Sequence, residues 1–208
     1  MKIYPMALGP VDTNCYILSE GNRAVIIDPA GEPQKILNHL EKHQLTVESI
    51  LLTHGHFDHI GAVNEVEAKY SVPIFAHKRE KEYFERAAVN LSIQFGAAYT
   101  LSSDYDYRWL DEGSQIEILG HQVVVNHVPG HTPGSLTYYF KDLGLIFTGD
   151  TLFKGSIGRT DLQYGNHELL HTGIKTKLLT LPAQTVAYPG HGEATTIEEE
   201  LQTNRFFI

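Results

Sequence analysis

The stretch Leu51-Leu52-Thr53-His54-Gly55-His56-Phe57-Asp58-His59-Ile60-Gly61-Ala62 places three histidines and an aspartate close together. Ser49 to Thr53 reads as a strand, and a helical pattern resumes near Gly61 and runs to Tyr70. The spacing therefore predicts a turn carrying His54, His56, Asp58 and His59 between two rigid elements. Imidazole nitrogen and carboxylate oxygen are the ligands of first-row divalent ions. A turn splays neighbours apart, so His54 and His56 can serve one ion while Asp58 and His59 serve another.

Three more candidates sit where apolar strands run out into glycine-containing turns. Val123 to Val128 leads into Pro129-Gly130-His131-Thr132-Pro133-Gly134, Leu143 to Thr148 into Gly149-Asp150-Thr151, and Thr185 to Ala187 into Tyr188-Pro189-Gly190-His191-Gly192. Prolines and glycines fix sharp loops and aim side chains off strand ends. A lone histidine after a strand is usually a surface or cap residue, but recurrence at four turns argues against that reading here.

His54-x-His56-x-Asp58-His59, Gly130-His131, Gly149-Asp150 and Gly190-His191-Gly192, in this order, resemble the metallo-β-lactamase fold superfamily over nearly the whole chain. The runs Gly130 to Ser135, Phe147 to Phe153 and Gly158-Arg159-Thr160-Asp161 resemble its glyoxalase II-like (hydroxyacylglutathione hydrolase-like) branch, particularly the short bacterial members. The resemblance implies an α/β fold, the four-layer αββα sandwich, as one domain over residues 1–208. It implies two divalent metal ions, zinc first, with iron or manganese as alternatives. His54, His56 and His131 would hold the first ion, Asp58, His59 and His191 the second, with Asp150 bridging. A bridging carboxylate relieves the repulsion between two cations about 3.5–4 Å apart.

That constellation supports hydrolysis by a metal-bound hydroxide, with Asp58 as the catalytic residue that both binds metal and orients the nucleophile. A thioester suits it, because thiolate needs little protonation to leave. The branch acts on 2-hydroxyacyl thioesters such as S-lactoylglutathione. Two departures matter. Full-length glyoxalase II enzymes carry a C-terminal helical domain that grips glutathione, whereas this sequence ends 17 residues past His191, at Ile208. Where those enzymes place a lysine and a tyrosine for glutathione, this chain offers Arg159 and Asp161. Arg159 is the candidate substrate-binding residue, weighed against a structural ion pair. The Gly158 to Asp161 loop also resembles mononuclear iron persulfide dioxygenases, which would use His54, His131 and Asp150. A non-catalytic metal-stabilised module is disfavoured, since structural zinc prefers closed, cysteine-rich sites.

Composition bounds these readings. In 208 residues, 42% hydrophobic and 20% charged, one sizeable core can form, and no linker or low-complexity tract divides the chain. Sixteen basic against 25 acidic residues, a balance of −9, argue against a nucleic-acid partner. No apolar run is long enough for a signal or a membrane span, so a cytoplasmic protein with a small-molecule thioester partner and no membrane partner is expected. The single cysteine, Cys15, reads as a buried strand residue and not a nucleophile.

The remaining pattern predicts strands near Ile3 to Leu8, Asn14 to Leu18, Ala24 to Asp28, Pro73 to Ala76, Ile116 to Leu119, Gln122 to Val128, Leu136 to Phe140 and Leu143 to Phe147. Helices are expected at Pro33 to His43 and His167 to Leu179. The Glu198 to Glu200 run reads as a solvated helix face. Residues 87–107 lack a period, and Phe95, Tyr99, Tyr105 and Tyr107 are candidates for a lid. His77 is a weaker candidate for the site, and His39, His43, His121, His127, His167 and His171 read as surface or structural.

Overall fold

The computed structural model describes residues 1–208, which divide into two compact units, Met1–Trp109 and Leu110–Ile208. The first contains β1 (Lys2–Leu8), β2 (Thr13–Glu20), β3 (Arg23–Ile27), α1 (Pro33–Lys42), β4 (Thr46–Leu51), α2 (Phe57–Ile60), α3 (Val63–Tyr70), β5 (Ile74–Ala76), α4 (Lys81–Glu85) and β6 (Tyr107–Trp109). Its sheet runs in the order β1-β2-β3-β4-β5-β6. The first three strands are antiparallel neighbours, and β3 through β6 are parallel. Ala24 to Ile27 and Ile50 to Leu51 are buried without alternation, as strands covered on both faces are. Pro33 opens α1, where its missing N–H costs nothing, and Ile36 and Leu40 turn inward.

The structure differs from the sequence expectation in two places here. β4 begins at Thr46, because its first half alternates exposed and buried residues and so lacks an apolar run. The expected metal turn is partly helical: Asp58 and His59 lie on the single turn of α2.

The second unit contains β7 (Gln115–Ile118), β8 (His121–His127), β9 (Leu136–Phe140), β10 (Leu145–Gly149), β11 (Leu152–Phe153), β12 (Ser156–Ile157), α5 (His167–Gly173), β13 (Val186–Pro189), β14 (Thr195–Thr196) and α6 (Ile197–Thr203). Its sheet order is β14-β13-β10-β9-β8-β7, with β10 and β13 parallel and the other neighbours antiparallel; β11 and β12 form a separate hairpin. α5 continues as a π-helical turn, Ile174–Leu178, and Leu170, Ile174 and Leu178 pack on one buried face. Glu200 corrects the reading of α6 as wholly solvated. It follows Ile197 by three positions and faces inward, where Gly155 N donates at 3.0 Å, Thr195 Oγ1 at 2.7 Å and Asn204 Nδ2 at 2.6 Å.

Cys15 is fully buried, and desolvation with the Asp28 charge pushes its thiol well above the ordinary range, so it packs as a core residue. No helix is long and apolar enough to cross a membrane.

Candidate metal centre

In the first unit, the end of β4 delivers His54 and α2 delivers Asp58 and His59. Gly55 sits between the first two histidines because a Cβ there would lie 2.5 Å from Tyr83 Cβ. Its N–H donates to the buried Glu80 carboxylate at 2.7 Å, which fixes the turn from below. His54 Nε2 lies 3.0 Å from His56 Nδ1, and His59 Nε2 lies 3.5 Å from Asp58 Oδ2. The His54 and His59 rings are 4.0 Å apart by centroid, and all four side chains are buried or nearly so.

Proton accounting explains why these nitrogens face one another. Asp28, at the end of β3 with φ of 48°, accepts from Thr53 N at 2.7 Å, from Thr53 Oγ1 at 2.6 Å and from His59 Nδ1 at 2.8 Å. The Thr53 hydroxyl has one proton, and Asp28 takes it, so at 3.1 Å from His54 Nδ1 that oxygen acts as acceptor. Both His54 and His59 therefore carry their proton on Nδ1 and present a lone pair on Nε2. Thr13 Oγ1 donates to Asp58 Oδ2 at 2.7 Å and holds that carboxylate from the β2 side. Outer partners of this kind are what orient metal ligands.

The second unit holds the other three candidates together. His131 follows Pro129-Gly130, and its Nδ1 donates to the Arg159 carbonyl at 2.8 Å, which again leaves Nε2 facing inward. Asp150 follows β10 and His191 follows the parallel neighbour β13, so both emerge at the same sheet end, tied by Gly190 N donating to Gly149 O at 2.8 Å. One oxygen, Asp150 Oδ2, lies 3.5 Å from His131 Nε2 and 3.6 Å from His191 Nε2. Gly158 lets the Arg159 loop close over this turn, since a Cβ there would sit 1.9 Å from Asp150 O.

These separations fit metal ligation. Ligands about 2.0–2.1 Å from a tetrahedral ion stand roughly 3.3 Å from one another, and the four donor pairs within the two units lie at 3.0, 3.5, 3.5 and 3.6 Å. The His and Asp clusters are thus compatible with divalent metal binding.

The sequence match to the model of the metallo-beta-lactamase superfamily spans residues 8–191. The chain belongs to this superfamily. It is 41% identical over 206 residues to a probable metallo-hydrolase, YqgX, of Bacillus subtilis, covering 99% of this chain and 97% of the relative. It is 34% identical over 208 residues to the hydroxyacylglutathione hydrolase GloC of Haemophilus influenzae, at 99% and 98% coverage. Among solved structures, the B3 metallo-beta-lactamase BLEG-1 superposes with a TM-score of 0.94 at 41% identity, with 99% of both chains covered. TTHA1623 in a di-iron-bound form gives 0.86 at 37%, covering 98% and 99%. The α/β fold with two sheets is that of the superfamily.

The other candidates have partners of their own. Arg159 pairs both guanidinium nitrogens with the Asp161 carboxylate at 2.8 Å, on an exposed loop. That fork raises the arginine further and holds Asp161 down at about 2. His77 Nδ1 accepts from Arg79 N at 3.0 Å and caps a short helical turn. Of the lid candidates, Tyr105 OH donates to Asn64 Oδ1 and Tyr107 OH to Ser102 O, while Phe95 is half exposed and packs on Phe57 at 4.4 Å. Sequence reading missed Asp28, Thr53, Thr13 and Glu80. Only Asp28 left a signal, an acid directly after the apolar run of a strand.

Proposed function

We propose that this protein is a binuclear metal-dependent hydrolase acting on thioesters, of the kind represented by 2-hydroxyacyl thioesters such as S-lactoylglutathione. The reading is carried by Asp150, one carboxylate oxygen of which stands within 3.6 Å of two imidazole nitrogens, as a bridging ligand should. In this reading His54, His56 and His131 hold one ion and Asp58, His59 and His191 the other. The name of GloC supports the thioester assignment, and zinc, iron and manganese are the candidate metals, the di-iron form of TTHA1623 keeping iron among them.

When bound, a pair of divalent ions lowers the pKa of shared water towards neutrality and polarises the substrate carbonyl. The chain's own part is positional. Asp58, held by Thr13, would orient the nucleophile's proton. Asp28 and Thr53 keep two imidazoles in the tautomer that ligates. Arg159 becomes available to a substrate carboxylate once that group displaces Asp161.

A second reading, β-lactam hydrolysis, is favoured by the BLEG-1 likeness. The two differ at the leaving group: an amide nitrogen needs a proton, a thiolate does not. Purified protein should be analysed for zinc, iron and manganese per chain. The same sample should be assayed with S-lactoylglutathione, with a β-lactam and, for oxygen uptake, with a persulfide. Thioester turnover exceeding the others supports the proposal. Iron with oxygen consumption, or faster β-lactam opening, replaces it.

A further inference from the structure

Beside α2, wholly within the first unit, lies an apolar groove of about 480 Å³ walled by Pro10, Ala30, Phe57, Ala97 and Tyr99. That volume is in the range of small-molecule sites, roughly 300–1,000 Å³. One wall residue, Phe57, immediately precedes Asp58, so the groove starts one residue from a proposed ligand. Glu32 is the single charged side chain in its lining. Lys35 pairs with that carboxylate at 2.7 Å and Gly9 N donates to it at 3.3 Å, so its charge is compensated at the rim.

The far wall is built rather than loose. Buried Asn90 ties its base, donating from Nδ2 to Tyr83 O and Tyr99 O at 2.9 Å and accepting from Ser92 N at 3.0 Å. Leu91 and Gly96 adopt φ of 73° and 76° on either side of the 3₁₀ turn Ser92–Phe95. Tyr99 OH accepts from Asn64 N at 3.1 Å, which turns its hydroxyl to the protein. Phe95 packs on Phe57 with ring centroids 4.4 Å apart, and Val11, Ile93 and Phe95 are among the few large apolar side chains left exposed. Solvent-facing apolar side chains grouped on loops around a preformed groove mark a binding surface.

We propose that this groove binds an uncharged, apolar portion of the substrate, on either the acyl or the thiol side of the scissile bond. The inference rests on the thioester reading above and deepens it. The walls offer apolar side chains, and the one charged lining group is already paired with Lys35, so nothing in the groove compensates a charge on the substrate and it selects hydrocarbon.

The test uses metal-loaded protein and two uncharged series: N-acetylcysteamine thioesters from acetyl to octanoyl, and acetyl thioesters of ethanethiol to hexanethiol. Each methylene buried contributes about fourfold at full burial, so kcat/KM should rise two- to fourfold per carbon along one series. The series that rises identifies which side of the thioester the groove holds. Ala97→Trp, on the exposed loop, should fill the groove and bring the long-to-short ratio close to one; Phe57→Ser should reduce that ratio by removing a wall. Calorimetry with ketone analogues, in which CH2 replaces the sulfur, should show the same rise in affinity with chain length and the same loss in Ala97→Trp. Measurable hydrolysis with both series flat overturns the proposal, as does a rise that neither substitution diminishes. Absence of any thioester turnover overturns the functional reading alone, and calorimetry then decides the groove: length-dependent affinity lost in Ala97→Trp sustains it, and flat affinity removes it.

Discussion

Asp28 and His59 stand 31 positions apart in the chain and 2.8 Å apart in the fold, joined from Oδ2 to Nδ1. Through Thr53 the same carboxylate sets the tautomer of His54 as well. Asp28→Ala should therefore weaken metal binding by about 10- to 100-fold, the usual effect of losing an outer partner. Thr53→Val, which spares the His59 contact, should cost less. Chelator competition measures both, with circular dichroism to confirm folding. Equal affinity in all three proteins would remove Asp28 from this role.

Substitutions at Asp150 and His191 would separate the proposed bridging role from the proposed terminal one. Asp150→Ala should lower metal content and abolish hydrolysis while the fold persists, because the apolar clusters do not depend on it. His191→Ala should reduce stoichiometry from about two ions to about one and cut turnover strongly. Elemental analysis per chain decides between them. An Asp150→Ala protein that keeps two ions and its activity would sink the binuclear proposal.

Arg159 is committed to Asp161, so the two residues should have opposite effects on a carboxylate-bearing thioester. Asp161→Ala frees the guanidinium and should lower KM; Arg159→Ala should raise it, on the order of tenfold, for a lost charged hydrogen bond. A neutral thioester should be indifferent to both. With Asp161 titrating at about 2, the pair stays intact across the assayable pH range. Parallel losses on charged and neutral substrates would mean that the pair only braces the loop over Asp150.

His39 supplies a pH dependence away from the metal cluster. Burial first, then the nearby His43 and Lys42 charges, hold its pKa below the ordinary histidine value, and its Nε2 has no hydrogen-bond partner. The folded state thus binds fewer protons than the unfolded chain. Its contribution to stability is complete above about pH 6.5 and is lost as pH falls through that value and the lower folded pKa. The difference in urea midpoint between wild type and His39→Gln should accordingly shrink in favour of the variant between pH 8 and pH 5. A constant difference would contradict this.

Local pattern explains what could be read from the sequence. His54, His56, Asp58 and His59 fall within six positions, and His131, Asp150 and His191 each follow an apolar run, so period and turn chemistry single them out as candidates. The buried carboxylates are another matter. Asp28 and Glu80 matter through partners 25 or more positions away, and Glu200 looked like part of a charge run until α6 turned it inward. β6 and the β11–β12 hairpin are too short to show a period. The hydroxyl partners of Tyr105 and Tyr107, Asn64 and Ser102, follow no local pattern.

The parallel pairs β3–β4 and β10–β13 each carry candidate donors or their anchors at adjacent tips, and in each pair one strand, β3 or β10, is buried along nearly its whole length. Such a layout uncouples inheritance of the scaffold from inheritance of the chemistry. Codon changes in the strand bodies are screened by folding yield, whereas changes one or two residues past the tips leave a protein that accumulates normally and reacts differently. Saturation mutagenesis read out separately for abundance and for turnover should divide along that boundary, with residues 24–27 and 145–148 in the first class and 150, 159 and 191 in the second.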